Sequence, residues 1–210
     1  MTENASSPTG PLAGIRVVAL EQAVAGPLCT RHLADLGADV IKIERRGGGD
    51  FARRYDTAVK GESSYFVWLN RNKRSLSLNV KHPEAREILH RLLKDADVFL
   101  QNFGPGAVDR LDLGSAELRE RYPQLVICNI SGYGSGGPYE KKKAFDLLLQ
   151  GETGVIATTG TDDAMAKLGI SVGDIRAAMY GVIGILAALV ESGQTGQGKV
   201  VETSLFDALA

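Results

Sequence analysis

The residues best suited to covalent chemistry are acids set beside glycine or lysine. Asp174 follows Gly173 and opens a long apolar stretch, ISVGDIRAAMYGVIGILAAL. An aspartate in that place commonly caps a helix by accepting a hydrogen bond from exposed amides. Those amides and the positive end of the helix dipole would also keep the carboxylate ionised, and so available as a nucleophile. Gly173 would let a substrate approach it closely. Asp146 follows three lysines and an Ala-Phe pair, and reads as a helix-start acid paired with one of them. Four cations, Arg45, Lys81, Arg110 and Lys143, are spread over loops that end candidate strands. Such a set suits a ligand with several phosphates, Arg as a bidentate fork and Lys as a point charge. A solvated basic face is the alternative reading.

Other chemistries find less support. Gly132, Gly134 and Gly137 satisfy G-x-G-x-x-G after a candidate strand, but Pro138 and the charged EKKK follow where an apolar helix start should be. The three histidines, His32, His82 and His90, and the two cysteines, Cys29 and Cys128, show no metal-ligand spacing. No G-x-S-x-G elbow is present. With 24 Lys plus Arg against 25 Asp plus Glu, net charge −1, nucleic-acid backbone is not the expected partner. Apolar residues at 44% and charged residues at 23% are ordinary for a globular domain, whereas 25 glycines among 210 residues point to many tight turns. The uncharged apolar stretch at 177–190 is shorter than the roughly 20 residues that span a bilayer. No secretory signal opens the chain, so a cytoplasmic setting without membrane contact is expected.

The elements that must position these residues alternate. IRVVAL (15–20) reads as a strand, 27–36 as a helix and DVIKI (39–43) as a second strand, which makes a βαβ unit. A loop rich in Gly, Arg and Asp covers 45–56, and SLSLNV (75–80) alternates like a half-buried strand. Pro83 opens a helix with Ile88, Leu89, Leu92 and Leu93 on one face. DVFL (97–100), a short helix at 116–122 and QLVICNI (124–130) continue the alternation. Helices at 144–150 and 175–191, a strand at 199–202 and a helix from 204 complete the pattern. The fold class is α/β, doubly wound, and the chain ends inside a helix as an interrupted polypeptide would.

Several ordered blocks then identify a relationship. PLAGIRVVAL, AGPLCTRHLADLGADVIKIERRGGGD, NRNKRSLSLNVKHPE, ADVFLQNFGPGAVDRL, ISGYGSGGP and GILAALVESGQTGQGKVVETSLFDA resemble the class III CoA-transferase (CaiB/BaiF) family, which includes formyl-CoA transferase and the α-methylacyl-CoA racemases. Residues 1–11, rich in Ser, Thr, Pro and Gly, read as a disordered lead-in, and the resemblance implies a Rossmann-like large domain (12–200) after it. Residues 201–210 would begin the connection to a smaller second domain, and full-length chains would pair as interlocked homodimers. It makes Asp174 the nucleophile and Asp146 an auxiliary acid. Implied contacts to CoA are Val24, Ala25 and Arg45; Leu78, Asn79, Val80 and Lys81; Asn102, Phe103, Gly104 and Arg110; and Lys142, Lys143, Ala144 and Phe145.

The implied reaction is CoA transfer from an acyl-CoA thioester to a small carboxylic acid through aspartyl anhydride and thioester intermediates. No metal or permanently bound cofactor is required; CoA and acyl-CoA are substrates. Val24 stands where some oxalate-specific members carry Gln, with Gln22 two residues earlier, which argues against oxalate or formate specificity. The racemase branch uses a His and an acid as paired bases, but Phe145 replaces that His and no His follows residue 90. Transfer is favoured; an acyl-CoA isomerase and a CoA-binding fragment without activity are the alternatives.

Overall fold

The computed structural model describes residues 9–210. Residues 1–8 of the expected lead-in lie outside the described residues. Residues 9–11 are exposed, but Gly10 sits so close to the Leu36 carbonyl that no side chain would fit, and Leu12 N–H donates to that oxygen at 3.0 Å.

The first half alternates strictly. Strand β1 (Arg16–Leu20), helix α1 (Ala25–Asp35) and β2 (Asp39–Glu44) form the expected βαβ unit. After a 3₁₀ turn at Phe51–Arg54 come α2 (Ser64–Asn70) and β3 (Lys73–Ser77), then α3 (Pro83–Lys94) and β4 (Val98–Gln101). Helix α4 (Ser115–Arg121) and β5 (Val126–Ser131) follow. Next are α5 (Asp146–Glu152) and a two-residue ribbon, β6 (Gly160–Thr161) with β7 (Ala164–Met165). Helix α6 (Val172–Thr195), β8 (Val200–Ser204) and α7 (Leu205–Leu209) close the chain. The main sheet has the order β3-β2-β1-β4-β5-β8, with every neighbouring pair parallel.

Period-two alternation along the central strands feeds two cores. Val17, Val98, Leu100, Val126 and Cys128 point to the face covered by α1 and α6. Val18, Phe99 and Ile127 point to the other face, against Leu89 and Leu93 of α3 and Leu118 of α4. A sheet buried on both faces needs such near-continuous apolar strands. The sheet order reverses between β1 and β4, and a crevice opens there beyond the C-terminal strand ends.

Three sequence expectations change. The strand expected at 75–80 is β3, Lys73–Ser77, in register with Val40–Glu44; Leu78 to Lys81 have left the sheet, with only Leu78 N–H reaching the Glu44 carbonyl (2.8 Å). Its charged start has partners: Lys73 runs beneath the sheet edge to Glu21, and Arg74 pairs with Asp39. Helix α2, capped by Ser63 Oγ, falls in 57–74, a span to which the sequence pattern assigned no element. Finally, packing does not break at 200/201. β8 pairs with β5, and Leu205, Ala208 and Leu209 of α7 join the α1/α6 core.

Helix α6, at 24 residues, is also longer than its uncharged stretch implied, and is long and apolar enough to cross a membrane by length and composition. One face of it packs on the domain, with Ala177, Ala178, Gly181 and Ile185 buried against α1, β5 and β8.

Candidate functional site

Loops at the C-terminal ends of β1, β4 and β5, with the approach to α6, enclose a cavity of about 1120 Å³. It exceeds the ~300–1,000 Å³ of ordinary small-molecule pockets, as a long ligand would require. Asn102 fastens the two sides of the switch point: its Oδ1 accepts Gln22 N–H and its Nδ2 donates to the Gln22 carbonyl, both at 2.9 Å. A side chain at Gly26 would meet Asn102 Cγ at 2.8 Å, so a glycine is required there. Gln101 extends the brace, accepting Phe103 N–H (2.8 Å) and donating to Asn129 Oδ1 (3.0 Å), whose Nδ2 donates to Ser115 Oγ (2.9 Å).

Asp174 and Asp146 both line this cavity. Their roles at the helix differ from the expectation. Ser171 is the residue preceding α6, and its side chain makes no capping bond; Asp174 lies within the first turn. The capping acid is Asp146, brought from α5: its Oδ1 accepts Gly173 N–H at 2.7 Å and Asp174 N–H at 3.4 Å. Gln150 holds it in place through Asp146 Oδ2 (2.6 Å) while bonding the Ile170 carbonyl and Leu168 N–H. A side chain at Gly173 would press on Leu209 (3.0 Å) and Asp146 Oδ1 (3.1 Å), so the packing itself calls for a glycine.

The helix amides are therefore spent on Asp146. Burial pushes the Asp174 carboxyl up to about 7, the neighbouring Asp146 charge adds to the rise, and the Ala25 backbone amide pulls the other way. The expectation of a dipole-held, fully ionised Asp174 is thus corrected: near neutral pH the group is divided between acid and carboxylate. A desolvated carboxylate of this kind is a stronger nucleophile than one in water, and its acid form can return a proton. Tyr55 also faces the cavity; burial, Asp50 and Asp174 push its phenol up to about 12, leaving it a neutral donor.

Of the implied ligand contacts, Val24, Ala25, Asn102, Phe103, Gly104, Lys142, Lys143, Ala144 and Phe145 line the cavity. Arg45, Leu78, Asn79, Val80, Lys81 and Arg110 share the same sheet edge but not its lining. Arg45 Nε donates to the Gly49 carbonyl, and Leu78 and Val80 pack on the α3/α4 core. Asn79 Oδ1 accepts Lys81 N–H at 3.4 Å, and the Arg110 guanidinium lies against Gly106. Lys142 is tied to Glu152 (2.5 Å) and lies over the Tyr133 and Tyr139 rings. Lys143 is the foreseen cation that lines the cavity without an ion pair among the described residues.

Sequence reasoning missed Lys167, Tyr55 and Tyr65, which complete the walls. The rings of Tyr55 and Tyr65 pack edge-on at 5.6 Å. Two tyrosines ten residues apart in a polar stretch were the available signal. The glycines of 132–137 do not open a helix for a pyrophosphate. Gly132 lets the loop fold back on Ala144, and Gly134 and Gly136 take left-handed conformations.

The model of CoA-transferase family III matches residues 12–210. An acyl-CoA transferase of Fusarium pseudograminearum is 39% identical over 215 residues, which cover 98% of this chain and 47% of that protein. A formyl-CoA:oxalate CoA-transferase of Rhodopseudomonas palustris is 37% identical over 203 residues, 96% of this chain and 48% of the relative. The crystal structure of a CaiB/BaiF family protein from Brucella suis superimposes with a TM-score of 0.90 at 37% identity, covering 95% of this chain and 54% of that one. The chain spans about half the length of the curated relatives it matches.

Proposed function

This chain belongs to CoA-transferase family III, and from that membership we propose that it moves coenzyme A from an acyl-CoA thioester to a carboxylic acid, with Asp174 as nucleophile. The observation that carries the reading is the desolvated Asp174 carboxyl, set in the wall of the cavity beside Asp146. One oxygen of the Asp174 carboxylate attacks the thioester carbonyl. The C–S bond breaks, CoA leaves as thiolate, and a mixed acyl-aspartyl anhydride remains. The thiolate then attacks the aspartyl carbonyl of the anhydride, releasing the first acid and leaving an aspartyl-CoA thioester. The acceptor acid repeats these steps in reverse and departs as the new thioester. Splitting the exchange in this way replaces one difficult transfer by easier ones.

The surrounding residues divide the remaining tasks. Asp146, held by Gln150, keeps the start of α6 in place. The Ala25 amide favours the ionised Asp174, and the neutral Tyr55 phenol is a hydrogen-bond donor in the cavity wall. Lys143 and Lys167 supply positive charge to the phosphates of CoA, whose remote binding energy holds the thioester at Asp174. Among the described residues, none that lines the cavity is a histidine, which supports transfer over removal of an α-proton. For the whole protein the partner is a second copy. The outward face of α6, with Met179, Tyr180 and Ile183 exposed, is apolar surface that such a copy would bury.

The test is conversion of a carboxylic acid to its CoA thioester in the presence of a donor acyl-CoA, read by mass. Wild type should form the product, while Asp174→Ala should form none and bind CoA within a few-fold of wild type. Product from Asp174→Ala at the wild-type rate would remove Asp174 from the mechanism. Binding of CoA by the wild type with no product would mean that this span holds CoA without turning it over.

A further inference from the structure

The cavity reaches past the strand ends to the sheet face opposite α6, and the side chains there have no part in the reaction described above. Along β4, β5 and β8, Phe99, Ile127 and Val200 stand in register and pack in the α3/α4 core. Two residues further along each strand, and so on the same face, come Gln101, Asn129 and Glu202, again in register. All three line the cavity, as does Ser115 of α4. The face thus turns from apolar to polar within one pleat, at the C-terminal rim where open parallel sheets bind their ligands.

The hydrogen bonds along this rim can run in one direction only. The Phe103 main-chain N–H donates to Gln101 Oε1 at 2.8 Å. A main-chain N–H can only donate, so the other arm of the Gln101 amide must be its NH2 group. Gln101 Nε2 therefore donates to Asn129 Oδ1 (3.0 Å), and Asn129 Nδ2 donates to Ser115 Oγ (2.9 Å). Ser115 accepts in this relay and keeps its own proton for a further partner. Each NH2 group also carries a second hydrogen that the relay does not use. Acceptors stand beside these donors. Glu202 Oε2 takes the Ser135 hydroxyl at 2.6 Å, and Asp109 Oδ1 lies 2.7 Å from where a side chain on Gly114, the neighbour of Ser115, would begin. The rim row holds no cation, and its two flanking carboxylates repel phosphate or carboxylate groups.

We propose that Gln101, Asn129 and Ser115 form a subsite of fixed hydrogen-bond polarity for an uncharged group of the ligand, one that presents an acceptor to the Ser115 hydroxyl with a donor beside it. The inference rests on the reading of this cavity as a CoA site. CoA carries that chemistry in two places, the amides of its pantetheine arm and the edge of its adenine. Its phosphates go to other parts of the wall, with Lys143 and Lys167.

Ser115→Ala removes the terminal donor alone. Titration calorimetry should show CoA affinity lowered about 3- to 10-fold, the effect of one lost hydrogen bond. Gln101→Glu reverses the relay: a carboxylate accepts Phe103 N–H but has no proton to give Asn129, so the Asn129 amide turns over and the Ser115 hydroxyl donates inward to it. Because this variant also adds charge, the double-mutant cycle is the readout. Ser115→Ala placed in the Gln101→Glu background should cost no further affinity. Phosphopantetheine and the adenosine bisphosphate end of CoA, titrated separately, tell the two sources apart. A loss on Ser115→Ala confined to the first assigns the subsite to an amide of the arm, and one confined to the second assigns it to adenine; either upholds the proposal. Unchanged CoA affinity in folded Ser115→Ala overturns it. So do equal losses with both fragments, which mark a general disturbance of the cavity, and an undiminished Ser115→Ala loss in the Gln101→Glu background. A wild-type chain that binds neither CoA nor either fragment sinks the CoA reading itself, and the subsite with it.

Discussion

Two carboxylates meet at the start of α6, one taking the helix amides and the other left in a drier pocket with its ionisation near neutrality. Two predictions belong at this scale. If ionised Asp174 is the attacking group, the rate of its acylation should climb as pH rises through about 7 and level off above it. Single-turnover release of CoA thiol across the pH range checks this; a flat profile from pH 5 to 9 would contradict it. The stability effect has the opposite sign. A carboxyl raised above its unfolded value binds its proton more tightly in the native state, so native stability declines between the ordinary aspartate value and about 7. Asp174→Asn should therefore stabilise the chain by about 1 kcal/mol or more at pH 8 and by progressively less towards pH 4. Denaturant titrations at the two pH values check it, and a gain larger at pH 4 would reverse the account. The Gly-Asp step made Asp174 visible as a candidate from its own neighbours. Its protonation was not visible, because the competing acid arrives from α5, 28 residues earlier.

Among the elements, α6 shows how local composition becomes position. Gly181 faces Cys29 of α1 and Cys128 of β5, and a side chain there would lie 3.1 Å from Cys29 Sγ. The close approach of α6 to α1 and the sheet depends on that missing side chain, and the approach sets where the first turn of α6 meets the cavity. Gly181→Val should destabilise the domain by roughly 1–3 kcal/mol through overpacking. The urea midpoint should fall with an unchanged slope; an unaltered midpoint would mean that the helix packs elsewhere. Most elements were legible because buried parallel strands and amphipathic helices have distinct periods, as in Val17–Leu20 and Pro83–Leu93. β3 was misplaced because its first residues, Lys73 and Arg74, look like loop until Glu21 and Asp39 are seen to neutralise them. Lys167 escaped notice for a related reason. Only the fold returns the segment after β7 to the mouth of the cavity.

At the scale of the molecule, the doubly wound sheet brings loops from across the chain to one crevice, and both the cavity and the acid are contained within these 210 residues. The chain should therefore bind CoA as it stands. Free CoA at about 100 times its dissociation constant should add roughly 2.7 kcal/mol of stability, seen as a raised melting temperature that shrinks with added salt. No shift at any CoA concentration would mean that the remaining length of the relatives is needed to form the site. The central claim is the covalent one, that Asp174 accepts the acyl group. Its most direct measurement is peptide mapping by mass spectrometry after incubation with a panel of short acyl-CoAs in the presence of hydroxylamine, which converts an activated aspartyl carbonyl into a stable hydroxamate. The account predicts a hydroxamate at Asp174 with at least one acyl-CoA and none without a thioester. An unmodified Asp174 in a chain that binds those acyl-CoAs, or a hydroxamate at Asp146 instead, would contradict it.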